Sequence, residues 1–309
     1  MAGLARSSWR SAPFGRRLQQ IENLLQAGHP HRAAAHCAGL QHRAAQAGCP
    51  AWAVTFGALR AEALLRQGDP AAAEQHATAA LRTAAPLGPA HRLRPAAVLA
   101  ETLTAQGRLS EAAHFLHLDQ PADDGPSAPG PHHAHVLAHL RAQGSHHLAA
   151  RRHRAALAVF LDIGRRVRRH GPGRAPAVAW RIGAAEALLA LGRPDTAAAL
   201  LAEQLTTAGP TGPRDRGTAL RLRAATESPA RRPATLAQAV ALLRVSGDRL
   251  ELARAYTDLG RAAHLLGDSH LATAFGERAR HLTETCGVVA ARPHPVPAAA
   301  LPGTPAAAR

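Results

Sequence analysis

The chain has 309 residues, of which 46% are hydrophobic and only 3% aromatic, and its formal net charge is +16. Its 37 Lys or Arg side chains are all arginines, and the absence of lysine excludes a P-loop, whose lysine contacts the nucleotide phosphates. No stretch reaches the ~18 apolar residues of a membrane-spanning helix. The three cysteines lack CxxC spacing, which indicates buried thiols in a reducing, cytoplasmic compartment.

The composition favours helices along the whole chain, because Ala and Leu are strong helix formers and β-branched and aromatic residues are scarce. Residues 1–15 are rich in Arg and Ser without acids, and we expect a disordered lead-in there. A phrase, Glu-x-Leu-[Leu/Thr]-x-x-Gly, then occurs four times, and a weaker copy retains Gly267. The four copies run from Glu22 to Gly28, Glu62 to Gly68, Glu101 to Gly107 and Glu186 to Gly192.

Each copy of the phrase predicts the turn of a helix hairpin. Glycine ends the first helix because it adopts the left-handed conformation without steric cost. In the second copy, Asp69 can cap the next helix, and Pro70 occupies its first position, where the missing N–H has no partner to lose. Five residues beyond each glycine, a small side chain lets the second helix approach the first closely. These side chains are Ala33, Ala73, Ala112 and Ala197.

Two further turns fit the same spacing, at Arg151, where a glycine would be expected, and at Ser228-Pro229. The turns thus recur about every 40 residues, and seven TPR-like hairpins of this length predict an all-α, right-handed superhelical solenoid. A segment with four prolines separates the third hairpin from the fourth and is expected to be a loop or hinge. The predicted lead-in, first repeats, hinge, second repeats and disordered Pro/Ala tail are 1–15, 16–118, 119–131, 132–287 and 288–309.

The repeated glutamates are the most regular polar feature of the sequence. One interpretation is a ladder of carboxylates that contacts a basic ligand along a concave face. The other is a structural ion pair or hydrogen bond from each first helix to an adjacent one. The second interpretation is favoured, because ligand-binding residues of solenoids usually lie where the repeats differ, whereas Glu22, Glu62, Glu101 and Glu186 are equivalent.

Histidines are concentrated near the start of the second block of repeats. His132, His135 and His139 fall at i, i+3 and i+7, close to one face of a helix, and could ligate zinc with a neighbouring carboxylate. No local Cys or Glu completes such a set, and with 20 histidines in the chain this spacing is expected to occur by chance. We therefore predict neither a metal site nor a cofactor.

Residues 151–170 are rich in arginine, and four arginines cluster towards the end of the predicted helix. They could contact phosphates, but a solvated helix end is favoured, because positive charge there complements the helix dipole and no aromatic residues are interleaved to stack on bases. The four residues are Arg165, Arg166, Arg168 and Arg169. The sequence also lacks G-x-S-x-G and H-E-x-x-H, so we predict no enzyme and no catalytic residue.

Three segments carry a resemblance to a known family: 179–205, 212–226 and 246–287, the last reading "SGDRLELARAYTDLGRAAHLLGDSHLATAFGERARHLTETCG". They resemble the helical-repeat region of large ATP-binding LuxR-type transcription regulators of actinobacteria. In that family the solenoid lies between an NTPase domain and a helix-turn-helix domain. The resemblance implies that the solenoid senses an inducer or a partner protein. The missing P-loop lysine and the Pro/Ala sequence after Gly287 imply the sensor arm without either of those domains.

The sequence thus supports a non-enzymatic, cytoplasmic module that binds a protein or peptide on its concave surface. The resemblance implies that it could pair with a full-length regulator and modulate transcription indirectly. One alternative is a regulator that binds DNA directly through the arginine-rich helix, although direct contact with nucleic acid is the less favoured interpretation. The other is a truncated or frame-shifted regulator fragment without an independent function.

Overall fold

The computed structural model describes residues 12–118, 131–169, 179–206 and 212–289. Within these ranges the regular structure is entirely helical, with no strand. The predicted all-α solenoid is confirmed. None of the helices in these four ranges is both long enough and apolar enough to cross a membrane.

Fourteen α-helices follow one another through the described residues, with one 3₁₀ turn, Ala85–Leu87, between the fourth and fifth. The helices are α1 Ala12–Gln26, α2 Pro30–Gln46, α3 Pro50–Arg66, α4 Pro70–Ala84, α5 Pro89–Ala105, α6 Leu109–Leu118, α7 Pro131–Ala149, α8 His153–Arg169, α9 Trp180–Ala190, α10 Pro194–Thr206, α11 Pro213–Ala224, α12 Arg232–Ser246, α13 Arg249–Leu265 and α14 Ser269–Cys286. They form seven consecutive hairpins, in which each second helix also packs on the first helix of the next hairpin.

The turns within the hairpins lie where the repeated phrase places them. Asp69 caps α4 by accepting a hydrogen bond from the Ala72 N–H at 2.9 Å, and Pro70 begins that helix. The alanines five residues beyond the first four turn glycines have no solvent exposure, so backbones approach closely there. The turn glycines all have φ between +72° and +83°, and they are Gly28, Gly68, Gly107, Gly192 and Gly267.

The fourth hairpin makes its turn with Arg151, whose φ is +58°. It is the one non-glycine residue with positive φ in the described part of the chain. A side chain in the left-handed region costs roughly 1–2 kcal/mol, which explains why five of the other six hairpins use glycine at this point.

Arg151→Gly should therefore stabilise the protein. Glycine removes the strain from the folded state but also gives the unfolded chain more conformational freedom, which lowers stability. The first effect should exceed the second by about 0.5 kcal/mol. Chemical denaturation of the variant should show a higher midpoint with an unchanged slope. Arg154→Gly, at an exposed position inside α8, is the control and should destabilise by about 1 kcal/mol. A lower midpoint for Arg151→Gly would contradict the proposed strain.

The solenoid curls until its last hairpins touch the turns of its first three. The Gly28 turn lies against the backbone of Val245 and Ser246 at the end of α12. The Gly107 turn lies against Val289, whose N–H donates a hydrogen bond to the carbonyl oxygen of Ala105 at 3.0 Å. Between them, the Gly68 turn contacts the thiol of Cys286. A Cβ added at any of these three turns would force a neighbour to shift, and at Gly28 that neighbour is backbone.

The ends of the described ranges differ from the predicted divisions by a few residues. Helix α1 begins at Ala12, inside the segment predicted as a lead-in, because a proline at its second position and a run of apolar residues favour a helix start. The chain remains packed as far as Val289, two residues past the predicted boundary. Residues 1–11, 119–130 and 290–309 lie outside the described residues.

Candidate functional site

The predicted glutamates all lie on first helices: α1, α3, α5 and α9. Glu62 interacts with an arginine on the first helix of the next hairpin, Arg94 of α5. In the same way Glu101 pairs with Arg141 of α7, and the charge of Glu186 acts on Arg221 of α11. The structure therefore places Glu62 and Glu101 in ion pairs that join successive first helices, whereas Glu22 of α1 reaches Arg94 of α5.

Glu62 is the centre of the N-terminal part of this network. Its carboxylate lies 2.6 Å from a guanidinium nitrogen of Arg66, 3.4 Å from one of Arg94 and 3.6 Å from one of Arg141. Burial alone would raise the pKa of Glu62, but the three arginines outweigh it and hold the pKa well below its usual range. The carboxylate is therefore charged and joins α3, α5 and α7.

The glutamates on either side of Glu62 differ from it electrostatically. Burial is the largest influence on both Glu22 and Glu101, and it raises the pKa of each carboxyl group above its usual value. Arg94 lies 3.7 Å from Glu22 and Arg141 lies 3.1 Å from Glu101, so each acid has a single arginine partner. These two carboxylates take up a proton more readily than Glu62 does.

A second group of charges connects α11 and α13. Asp248 caps α13 by accepting hydrogen bonds from the N–H groups of Leu250 and Glu251, and it lies 2.6 Å from the Arg214 guanidinium. Burial opposes the charge of Asp248, but Arg214 outweighs it and lowers the pKa of the carboxyl group. Arg221 is almost fully buried and lies 3.0 Å from Asp258.

The two groups of charges are close enough to influence each other electrostatically. Arg214 of α11 acts electrostatically on Glu101 of α5, and Arg66 of α3 acts on Asp248 before α13. Arg141 and Arg214 keep 28% and 29% of their side-chain exposure, so the network borders accessible space. We call this network the inner ion-pair surface: Glu22, Glu62, Arg66, Arg94, Glu101, Arg141, Glu186, Arg214, Arg221, Asp248, Glu251 and Asp258.

This surface presents hydrogen-bond donors and acceptors side by side. Arginine offers up to five N–H donors and a carboxylate offers only acceptors, so together they match a peptide backbone and charged side chains of either sign. Sequence reasoning found the glutamates but missed their arginine partners. The usable signal was weak: an arginine lies 32 to 40 residues after Glu62 and Glu101, about one repeat further along the chain.

The arginine cluster predicted at the end of α8 lies on an outer, second helix. Arg165 and Arg166 both bind Asp162, at 3.1 and 2.8 Å, so one carboxylate partly neutralises the two guanidinium groups. The guanidinium of Arg168 lies 5.3 Å from the centre of the Trp180 ring, a distance at which cation–π attraction operates. Arg169 is exposed. A solvated helix end stays the favoured interpretation of this cluster.

The predicted histidine cluster lies at the start of α7. His135 and His139 are buried, and the side chain of His132 lies outside the described residues. Among the residues whose positions are described, no group of three or more His, Cys, Asp or Glu side chains could hold a metal ion. Because His135 and His139 are almost fully buried, they contribute to the packing of α7 against its neighbours.

The cysteines are free thiols, and two of them, Cys37 and Cys286, are buried. Burial raises the pKa of Cys37 to about 12 and also raises the pKa of Cys286. Since the thiolate is the reactive form, both thiols are protonated and unreactive in the folded protein. They behave as small apolar side chains.

Comparison with solved structures identifies the architecture. The chain is similar to a Rap protein in its crystal structure with Competence and Sporulation Factor, with a TM-score of 0.62 over 82% of this chain and 70% of that one, at 13% identity. The fold is that of TPR-like helical-repeat proteins. A second alignment, with BtubC (BKLC) from P. vanneervenii, covers 85% of this chain and 94% of that one at 16% identity. Its TM-score of 0.34 is too low to relate the folds. No protein-family model and no curated protein matches the sequence.

Proposed function

We propose that this chain is a non-enzymatic, TPR-like module that holds a protein or peptide partner on its inner ion-pair surface. The observation that carries the proposal is the network of charged side chains on facing first helices, part of which borders accessible space. Charged pairs provide specificity, because a wrong partner leaves buried charges without a counterpart. The structural likeness to a Rap protein complexed with Competence and Sporulation Factor supports binding within such a solenoid.

The partner that the sequence favours is a full-length transcription regulator. The segments 179–205, 212–226 and 246–287 resemble the sensor region of LuxR-type regulators, and they form α9 to α14. We propose that the module pairs with such a regulator in the cytoplasm and modulates transcription through it. The support for this part of the proposal is the sequence resemblance.

The test removes one half-buried ion pair from the inner surface. In Glu101→Gln/Arg141→Gln both partners lose their charge together, so no isolated buried charge remains. The matched control, Asp162→Asn/Arg166→Gln, removes a pair of similar exposure from the outer helix α8. Each immobilised protein is used to capture partners from the source cells, and retained proteins are identified by mass spectrometry.

We expect the wild type and the α8 control to retain the same discrete protein. The inner-surface variant should lose at least about 90% of it, which corresponds to roughly 1.4 kcal/mol of binding free energy. Equal retention by all three proteins would exclude the inner surface. Repeated failure of the wild type to retain any protein would count against the proposed function as a whole.

A further inference from the structure

A second concave surface lies at the N-terminal end of the solenoid, between α1 and α2. It is a groove of about 740 Å³, and we call it the end groove. Gln20 and Leu24 line it. Each is two residues from Glu22, so they lie ~160° around the helix from that residue. Because Glu22 belongs to the inner ion-pair surface, the end groove faces away from it.

The floor of the end groove is apolar. Ile21, Leu24 and Leu40 provide its large side chains, and Ala35 and Gly39 lie one helical turn apart on α2. A Cβ added to Gly39 would meet no atom within 4 Å. Small residues at this spacing allow another helix to approach closely, as they do between the helices of the chain itself.

The rim of the end groove is positively charged. Arg17, His36 and Arg43 line it together with two uncharged polar residues, and no acidic side chain does so. The first hairpin, within residues 12–49, has four arginines and one acid, Glu22, which points to the inner surface. Within the described part of the chain none of these four arginines forms an ion pair, and they are Arg16, Arg17, Arg32 and Arg43.

The repeat architecture indicates the shape that would cover this groove. Each of the other first helices is packed against the second helix of the hairpin before it: α3 by α2, α5 by α4, and so on to α13 by α12. Helix α1 is the first in the described chain, so within the described residues no second helix of an earlier hairpin packs on it. A helix in this position would continue the packing that stabilises the rest of the solenoid.

We infer that the end groove binds an amphipathic helix of a partner protein, with an apolar stripe on the floor and acidic flanks against the rim. Apolar side chains at i, i+3, i+4 and i+7 would contact Leu24 and Leu40. Glutamates beside the stripe would pair with Arg17 and Arg43, which supplies the charge complementarity. Residues 1–11 of this chain contain two arginines and no acid, so like charges disfavour them as the occupant.

The experiment uses the full chain and a fluorescent synthetic helix of about 18 residues, the length of the helices it imitates. The peptide has a leucine stripe flanked by glutamates. One control peptide has the same composition in scrambled order, and another has lysine in place of glutamate. Fluorescence anisotropy at an ionic strength of about 0.15 M should show binding of the glutamate peptide alone.

Two variants test the location. Gly39→Leu fills the floor and should weaken binding at least about tenfold. Gly276→Leu is the matched control, since Gly276 is an exposed helical glycine with open space around it, and it should bind as the wild type does. Arg17→Glu/Arg43→Glu should reverse the preference, so that the lysine peptide binds and the glutamate peptide does not.

Four results would overturn the inference. Equal binding of the scrambled peptide would show that no helix is recognised, and unchanged binding by Gly39→Leu would show that the groove is not the site. Binding of a DNA duplex that Arg17→Glu/Arg43→Glu abolishes and Gly39→Leu leaves intact would identify a nucleic-acid patch instead. Peptide binding only after deletion of residues 1–11 would show that this chain's own N-terminal segment fills the groove.

Discussion

Replacement of Glu62 by Gln should reduce the free energy of unfolding by about 3 kcal/mol. Glu62 is buried and lies within 3.6 Å of three guanidinium groups, those of Arg66, Arg94 and Arg141. Loss of its charge leaves Arg94, which is itself buried, with one partner at 3.7 Å, Glu22. An uncompensated buried charge costs far more than an exposed ion pair contributes. Urea denaturation of the two proteins measures the difference.

The loss of stability caused by Glu62→Gln should become smaller as the pH is lowered. The pKa of Glu62 is lower in the folded protein than in the unfolded chain, so the unfolded state binds the proton more tightly. Its stabilisation is therefore present above the ordinary glutamate pKa of about 4.3 and is lost as the pH falls further. The difference between wild type and variant should narrow steadily below about pH 5.

The control for Glu62 is the same substitution in an exposed pair. Glu284 lies 3.9 Å from Arg280 on the surface of α14, and both side chains are about two-thirds exposed. Glu284→Gln should change the free energy of unfolding by less than about 0.5 kcal/mol, with little pH dependence. If the two variants lost the same free energy of unfolding, the ion pairs of Glu62 would contribute no more to stability than an exposed pair does.

Replacement of Gly28 by Ala should destabilise the protein by about 3 kcal/mol. The same substitution at a turn glycine with open space around it should cost about half as much. At φ +83° any side chain is strained by roughly 1–2 kcal/mol. In addition, the new Cβ would lie 2.7 Å from the Ser246 Cα and the Val245 carbonyl oxygen. Backbone atoms of α12 cannot rotate away, so we expect a further 1–2 kcal/mol or so of overpacking.

Gly267 is the matched control for Gly28. It has φ +82° in the last hairpin, as Gly28 has +83° in the first, but nothing lies within 4 Å of its added Cβ. Gly267→Ala should therefore show the conformational strain alone. Small-angle X-ray scattering should also show a larger radius of gyration for Gly28→Ala, because α12 moves away from the first hairpin. Equal losses in the two variants, with equal radii, would mean that the ends of the solenoid do not touch in solution.

The hairpins were predictable because their signals are local. A glycine in the left-handed conformation, an aspartate cap and a buried alanine act within one turn of the chain, and at Gly68, Asp69 and Ala73 the structure contains all three. The exception in the fourth hairpin was also visible, since Arg151 occupies a glycine position and keeps the glycine conformation. The all-α solenoid needed no more than the recurrence of this unit.

The candidate site was only partly predictable. Its carboxylates are recognisable because Glu62 and its equivalents recur at one position of the phrase. Their partners are not, because Arg94 lies 32 residues after Glu62 and Arg141 lies 40 residues after Glu101, on helices whose rotation depends on packing. The end groove was also missed, since it depends on how far α1 and α2 lie apart.

The sequence alone thus accounts for the helices, the turns and their number, since each of these depends on neighbouring residues. It does not indicate that Gly28 meets Ser246, or that the charge of Arg66 acts on Asp248. Those interactions join residues about 200 positions apart in a chain of 309. The twist between one hairpin and the next accumulates along the whole solenoid, and a small change at each step would separate the two ends.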